Sequence, residues 1–209
     1  MTASAVPNRK VLVRRAMLLE ASIVAYNLAE GVISIVAGVI AGSVVLVGFG
    51  LDSAIEVSAA LVVLFHLSRS GDEEQPGWER GVAAFVGLTL LVVAFYVAGR
   101  CVYNLATESK PSESYVGIGI TLASLVVMPL VSRFQHNFAL RINSMALEAD
   151  SRETLVCTYL SAAALLGLAA NAALGWWWAD PLAGLVLVFF IAREGWEILR
   201  TRELICVDD

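Results

Sequence analysis

Long, nearly uninterrupted apolar blocks are the feature of this sequence that most limits its fold. Six such blocks follow one another along 209 residues, separated by short turns or polar loops. A helix of about 20 apolar residues is long enough to cross the hydrocarbon core of a bilayer. Charged residues make up 16% of the chain, whereas a soluble domain carries about a quarter. The pattern predicts an all-α membrane protein built as a six-transmembrane-helix bundle.

Turn and loop signals place the ends of these helices. A Gly-Ser turn at 41–43 separates the first two, and a polar segment with a Pro-Gly break at 68–77 follows the second. Further polar segments lie at 104–114 and 133–143. The predicted helices cover approximately 16–40, 44–67, 81–102, 116–131, 145–174 and 181–199. We expect one transmembrane domain over 1–209, without a C-terminal cytoplasmic domain.

Basic residues give the expected orientation. If the N-terminus is cytoplasmic, Arg100 and Lys110 fall outside and the other twelve of the 14 lysines and arginines fall inside. Cytoplasmic segments carry the excess of these residues in membrane proteins. We therefore expect both termini in the cytoplasm and a multi-pass protein of the inner (cytoplasmic) membrane. A net charge of −5 predicts no nucleic-acid surface.

Two pairs of polar side chains stand deep inside predicted helices. Asp52 and Glu56 are four residues apart in the second helix, as are Glu153 and Cys157 in the fifth. This spacing puts each pair on one helix face, about 6 Å apart along the axis. Buried carboxylates are costly in a membrane and are usually functional there, and four oxygen or sulfur ligands suit zinc. The four residues are candidate metal ligands, although a lone cysteine such as Cys157 is often a small buried hydrophobe.

The first helix adds a second polar pair with two interpretations. Asn27 and Glu30 are spaced i, i+3, so they lie on one helix face. They are either second-shell or proton-relay groups beside the metal ligands, or residues that hydrogen-bond to neighbouring helices. The sequence leaves both interpretations open.

Other polar residues fall nearer the inner helix ends. We expect Glu20, Glu148 and Asp150 to be solvated or capping groups there, with a proton-relay role as the alternative for Asp150. His66 and His136, the two histidines of the chain, also fall near inner ends. We expect both to be interface residues rather than ligands.

Two segments resemble the cation diffusion facilitator family. The segment AGSVVLVGFGLDSAIEVSAALVVL, at 41–64, resembles its second helix, in which a Gly-Ser turn precedes acidic ligands spaced i, i+4. Asp52 and Glu56 stand at those positions, with Glu replacing the usual second Asp. The run Trp178-Ala179-Asp180-Pro181 resembles the W-x-D-P that opens the sixth helix.

The segment ALEADSRETLVCTYLSAAALLG, at 146–167, resembles the family's fifth helix. The usual motif there is A-D-x-x-H-x-x-x-D. Ala149 and Asp150 match it, Glu153 stands at the histidine position and Cys157 at the second aspartate position. These two replacements leave the identity of the metal open.

The resemblance implies export of a divalent cation from the cytoplasm in exchange for protons, with no enzymatic activity and no permanently bound cofactor. Zinc is the first expectation; cadmium, iron, cobalt and manganese stay open, because a carboxylate hardens the site and a thiolate softens it. The resemblance also suggests a homodimer and a short branch of the family that lacks the cytoplasmic domain. The alternatives are a membrane metal sensor or scaffold that does not transport, and a membrane enzyme, for which H-E-x-x-H, G-x-S-x-G and P-loop motifs are missing.

Overall fold

The structure, a computed structural model, describes residues 9–68 and 77–201, and its regular structure in these ranges is entirely α-helical. Five of the described helices contain stretches long and apolar enough to cross a membrane. The prediction of an all-α membrane bundle with six helices is therefore confirmed. The helices are α1 (Arg9–Ala41), α2 (Val44–Ser68), α3 (Gly77–Ala106), α4 (Tyr115–Ile142), α5 (Met145–Leu174) and α6 (Ala179–Thr201).

The fourth helix is longer than its apolar block. The sequence predicts a polar link at 133–143, whereas α4 continues to Ile142. It ends where Asn143 adopts a left-handed conformation, with φ of 54°. Ser144 then caps α5 by accepting a hydrogen bond from the backbone N–H of Leu147 at 3.4 Å. The polar composition of 133–143 indicates a change of environment along the chain. The cap residues Asn143 and Ser144, and not this composition, determine where α4 ends and α5 begins.

The helices pack chiefly in three pairs: α1 with α2, α4 with α5, and α3 with α6. Contacts of α2 with both α5 and α6 join these pairs. At the end of the bundle where the chain begins, one apolar cluster combines the start of α1, the ends of α2 and α4 and the start of α5. We call this the N-terminal end of the bundle. α2 and α5 thus pack against each other within the bundle.

Glycines allow α1 and α2 to approach closely. A Cβ atom at Gly50 would lie 2.8 Å from the carbonyl oxygen of Gly31, and one at Gly31 would lie 3.0 Å from the carbonyl oxygen of Gly50. The same arrangement joins α3 and α6, where a Cβ at Gly87 would lie 2.9 Å from the Gly195 carbonyl oxygen. Small residues at such crossings permit backbone contact in membrane bundles.

The side chain of Asp180, at the start of α6, fixes the first turn of α2. Asp180 is fully buried. Its carboxylate accepts a hydrogen bond from the Ser43 hydroxyl and, at 2.9 Å, from the backbone N–H of Val44. Backbone N–H groups in the first turn of a helix lack partners within the helix, and a carboxylate is a favourable acceptor for them. Asp180, in the W-x-D-P-like run, therefore joins the first turns of α2 and α6.

Candidate metal site between α2 and α5

Asp52 and Glu56 occupy the buried face of α2. Their relative exposures are 8% and 7%. They stand eight and twelve residues into the helix, or about 12 and 18 Å along its axis at 1.5 Å per residue. Oxygen Oε1 of Glu56 is buried and has no hydrogen-bond partner among the described residues. An unpaired carboxylate oxygen at this depth costs free energy unless it binds a proton or a cation.

Cys157 is the residue of α5 that lies beside Asp52 and Glu56. Its thiol is buried, and Sγ lies 3.6 Å from Oδ2 of Asp52, a contact that crosses from α5 to α2. The thiol also interacts with the Glu56 carboxyl. One sulfur and two carboxylates from two helices therefore face a common space. The i, i+4 spacing of Asp52 and Glu56 places both beside this single side chain.

Glu153 lies one turn from Cys157 toward the N-terminal end of the bundle. Its side chain is partly exposed. It interacts electrostatically with Asp52 and Glu56, and also with Asp150 and with Glu194 of α6. Glu153 thus lies near the group formed by Asp52, Glu56 and Cys157.

The candidate ligands face one another without enclosing a point. Within 9–68 and 77–201, no three histidine, cysteine, aspartate or glutamate side chains converge in a metal-holding arrangement. Binding of a transported ion would need side-chain rotation, chiefly of Glu56 and Glu153, whose carboxylates are on flexible stems. The arrangement supplies oxygen and sulfur donors on two helices that pack against each other.

Sequence reasoning missed Glu194. It lies on α6 and interacts electrostatically with both Asp52 and Glu153. A signal was present, since Glu194 follows buried Leu187 and Ile191 by seven and three residues and precedes buried Ile198 by four. That is the spacing of one helix face. A third helix therefore adds a carboxylate to the α2–α5 group.

Glu30 and Asn27 are buried on α1, each 1% exposed. Glu30 accepts hydrogen bonds from the Ser53 hydroxyl at 3.1 Å and from the Tyr26 hydroxyl at 3.2 Å. Ser53 adjoins Asp52, so Glu30 hydrogen-bonds to a neighbouring helix beside the candidate site. Oδ1 of Asn27 has no hydrogen-bond partner among the described residues. A role of either residue in proton movement stays a prediction.

Two carboxylates near the N-terminal end of the bundle are buried, contrary to the expectation that they are solvated. Glu20 is 0% exposed and Asp150 is 4% exposed. Both accept a hydrogen bond from Nε2 of Gln135 on α4. The position of Glu20 and Asp150 near helix ends suggested that they are exposed to solvent. Instead, α1 and α4 extend well past their apolar blocks, and the helices cover both carboxylates. Glu148 is partly exposed and forms an ion pair with Arg152 at 3.0 Å, as a solvated residue does.

His136, the histidine whose side chain the structure describes, takes no part in the α2–α5 group. His136 lies on the exposed face of α4, in agreement with an interface residue. His66 lies in α2, and its side chain is outside the described part of the chain.

Comparison with known proteins decides the family. A match to the family described as "Cation efflux transmembrane domain" extends over residues 21–203. The chain belongs to the cation efflux family. The resemblance to the cation diffusion facilitator family noted in the sequence is thereby confirmed, and family membership argues for a carrier rather than an enzyme.

Three relatives illustrate how similar this chain is to known proteins. An uncharacterized transporter of Synechocystis, sll1263, is 27% identical over 168 residues, which cover 77% of this chain and 54% of the relative. The cation-efflux pump FieF of Shewanella oneidensis is 26% identical over 145 residues, covering 69% of this chain and 47% of the pump. The manganese efflux system protein MneS of Bacillus subtilis is 23% identical over 189 residues, covering 86% and 63%. The chain therefore spans about half to two thirds of the length of these relatives.

Proposed function

We propose that this cation efflux protein carries a divalent metal ion out of the cytoplasm in exchange for protons. The observation that carries the proposal is the contact between Sγ of Cys157 and Oδ2 of Asp52, 3.6 Å apart, on helices that pack against each other in a membrane bundle. Ionisable groups at this depth are expensive to retain without a pathway. In the proposal Asp52, Glu56, Glu153 and Cys157 bind the transported ion.

The donor set explains how metal and protons would exchange. Several carboxylates and a thiol that share a buried space cannot all be ionised at once, because like charges disfavour one another. A divalent cation favours the deprotonated ligands and releases their protons when it binds. Protonation from the opposite side of the membrane then lowers the affinity for the metal and releases it.

Zinc is the proposed principal substrate. Carboxylate oxygen and thiolate sulfur are both common zinc ligands, and zinc accepts mixed sets in four-coordinate geometry. The same set admits cadmium through the sulfur and manganese, iron or cobalt through the oxygens. The name of MneS, a manganese efflux protein, brings manganese into the set of ions to test.

Transport by Asp52→Asn in proteoliposomes tests the proposal. The substitution keeps the size of the side chain and removes its negative charge from the candidate site, so we expect zinc flux to fall to the level of empty liposomes. Glu148→Gln is the matched control, since Glu148 carries the same charge change on α5 but is partly exposed and paired with Arg152. The control is expected to retain most of the wild-type flux.

The outcome also separates the alternatives. A non-transporting sensor or scaffold predicts zinc binding to the wild-type protein without flux above that of empty liposomes. A flux equal to wild type in folded Asp52→Asn protein contradicts the assignment of the ligands. Measurement of zinc flux together with zinc binding in the same preparations distinguishes these results.

A further inference from the structure

A second group of buried oxygen atoms lies apart from the α2–α5 group, toward the N-terminal end of the bundle. Glu20 of α1, Gln135 of α4 and Asp150 of α5 meet there, with exposures of 0%, 0% and 4%. The amide nitrogen Nε2 of Gln135 donates to Oε1 of Glu20 at 3.2 Å and to Oδ2 of Asp150. Three helices thus bring two carboxylates to one amide group.

Hydrogen bonding leaves this group incomplete. Oε2 of Glu20 and Oε1 of Gln135 are buried, and neither has a hydrogen-bond partner among the described residues. The ion pairs found within 9–68 and 77–201 include neither Glu20 nor Asp150. Buried polar atoms in folded proteins are nearly always paired, and an uncompensated buried carboxylate is more costly still. The unpaired oxygens of Glu20 and Gln135 can accept a further hydrogen bond or bind a cation.

We infer that Glu20, Gln135 and Asp150 form a second cation site, which binds a hard divalent cation through oxygen atoms alone. The Glu20 and Asp150 carboxyls also hydrogen-bond to each other, which requires a proton on one of them. A divalent cation that displaces this proton binds both carboxylates and neutralises the group, whereas a monovalent cation leaves one charge buried. Half a turn of the Gln135 amide exchanges Nε2 for Oε1 and turns an oxygen toward both carboxylates. Carboxylate and amide oxygens are ligands of manganese, magnesium and calcium rather than of soft metals.

The second site stands on the same face of α5 as the candidate transport site. Asp150 precedes Glu153 by three residues and Cys157 by seven, so the three occupy successive turns of one face. Asp150 and Cys157 are about 10 Å apart along the helix axis, at 1.5 Å per residue. Glu153, partly exposed between them, is positioned to pass an ion from one group to the other. The binding claim itself does not depend on the proposed function.

Binding of Mn²⁺ alone to purified full-length protein in lipid nanodiscs tests the inference. The electron paramagnetic resonance signal measures free Mn²⁺, and its difference from the total Mn²⁺ added gives the number of ions bound. Asp52→Asn is expected to retain Mn²⁺ at the second site, and addition of Glu20→Gln or Asp150→Asn to it should weaken that binding by about tenfold or more, since changes even to the partners of metal ligands act on this scale. Glu148→Gln in the same background is the control and should leave binding unchanged.

Gln135→Glu keeps the test decisive if the other variants fold poorly. At a cation site the third carboxylate should raise Mn²⁺ affinity, and Mn²⁺ should raise the melting temperature of this variant more than that of the parent. If Gln135 serves only as a hydrogen-bond donor between two carboxyls, the variant loses stability and Mn²⁺ does not restore it. That result, or unchanged Mn²⁺ binding after Glu20→Gln and Asp150→Asn, overturns the inference. Since Mn²⁺ is counted without flux, failure here is distinct from failure of transport.

Discussion

The Cys157 thiol is the soft member of an otherwise oxygen-based group. It is buried and lies 3.6 Å from the Asp52 carboxylate, at the position that the resemblance of the fifth helix assigns to the second aspartate of the family motif. A thiolate prefers polarisable metals more strongly than a carboxylate does. The identity of this one side chain should therefore affect which ion the protein prefers.

Substitution of Cys157 is expected to change ion selectivity. Cys157→Asp should keep transport and shift preference away from Cd²⁺ toward Zn²⁺ and Mn²⁺, because it replaces sulfur by oxygen. Cys157→Ser should weaken transport of all three ions, since a neutral hydroxyl is a poor ligand. Competition among the three ions in proteoliposome flux measures the change.

The space-filling interpretation of Cys157 predicts the opposite pattern. Cys157→Ala should then be nearly silent, and Cys157→Asp should lower the yield of folded protein by burying another carboxyl. An active Cys157→Ala protein with unaltered selectivity excludes the thiol as a ligand. Asp52, Glu56 and Glu153 would then hold the ion together with water.

At the scale of elements, the α1–α2 crossing fixes where Asp52 stands. Gly50 precedes Asp52 by two residues and contacts the backbone of α1 around Gly31 and Ile35. Ser53, which follows Asp52, hydrogen-bonds to Glu30 across the same crossing. A change in the distance between these helices therefore displaces the candidate ligands directly.

Gly50→Ala is expected to destabilise the protein. The new Cβ would lie 2.8 Å from the Gly31 carbonyl oxygen and 2.9 Å from the backbone nitrogen of Ile35, so the helices must separate. Overpacking of this kind costs about 1–3 kcal/mol. Thermal unfolding in detergent should show a lower melting temperature, and zinc flux should fall with it.

Gly99 provides the matched control for this crossing. It lies within α3, and nothing stands within 4 Å of a Cβ placed there. Gly99→Ala should be neutral or slightly stabilising, because alanine is the better helix former. Equal melting temperatures for the two alanine variants would contradict a close α1–α2 crossing.

At the scale of the whole molecule, the faces of the bundle are divided between lipid and core. Large apolar side chains such as Phe95, at 84% exposure, and Ile40, at 78%, point outward, and the core contains carboxylates, serines and an amide beside its apolar side chains. An outer surface this rich in large apolar side chains is unusual in a soluble protein and fits immersion in a bilayer. The direction in which the bundle crosses the membrane is predicted from the basic residues.

Cysteine labelling tests the orientation. In a Cys206→Ser background the remaining Cys101 and Cys157 are buried. A membrane-impermeant maleimide added to intact cells should modify Lys110→Cys, in the loop between α3 and α4, and spare Arg141→Cys at the far end of α4. Both side chains are exposed. The reverse pattern would show that the termini lie outside.

The pattern of apolar residues determined the fold class and the main candidate pairs. Blocks of about 20 apolar residues leave a membrane bundle as the only economical structure. The position of Asp52 and Glu56 on one helix face followed from their four-residue spacing and helix geometry once the helix was assigned. The extent of α4 did not, because Asn143 and Ser144 end and begin helices through backbone conformation rather than through hydropathy.

Only the tertiary structure decided which helices share a polar group. The contact of Cys157 with Asp52, the interaction of Glu194 with Asp52 and the burial of Glu20 depend on how the helices pack. Residues more than 100 positions apart carry no local signal of contact. Exposure of a charged residue near a helix end depends on what covers it, which is why Glu20 and Asp150 were expected in solvent and are found buried. Helix periodicity assigns a side chain to a face, whereas the neighbouring helix determines what that face meets.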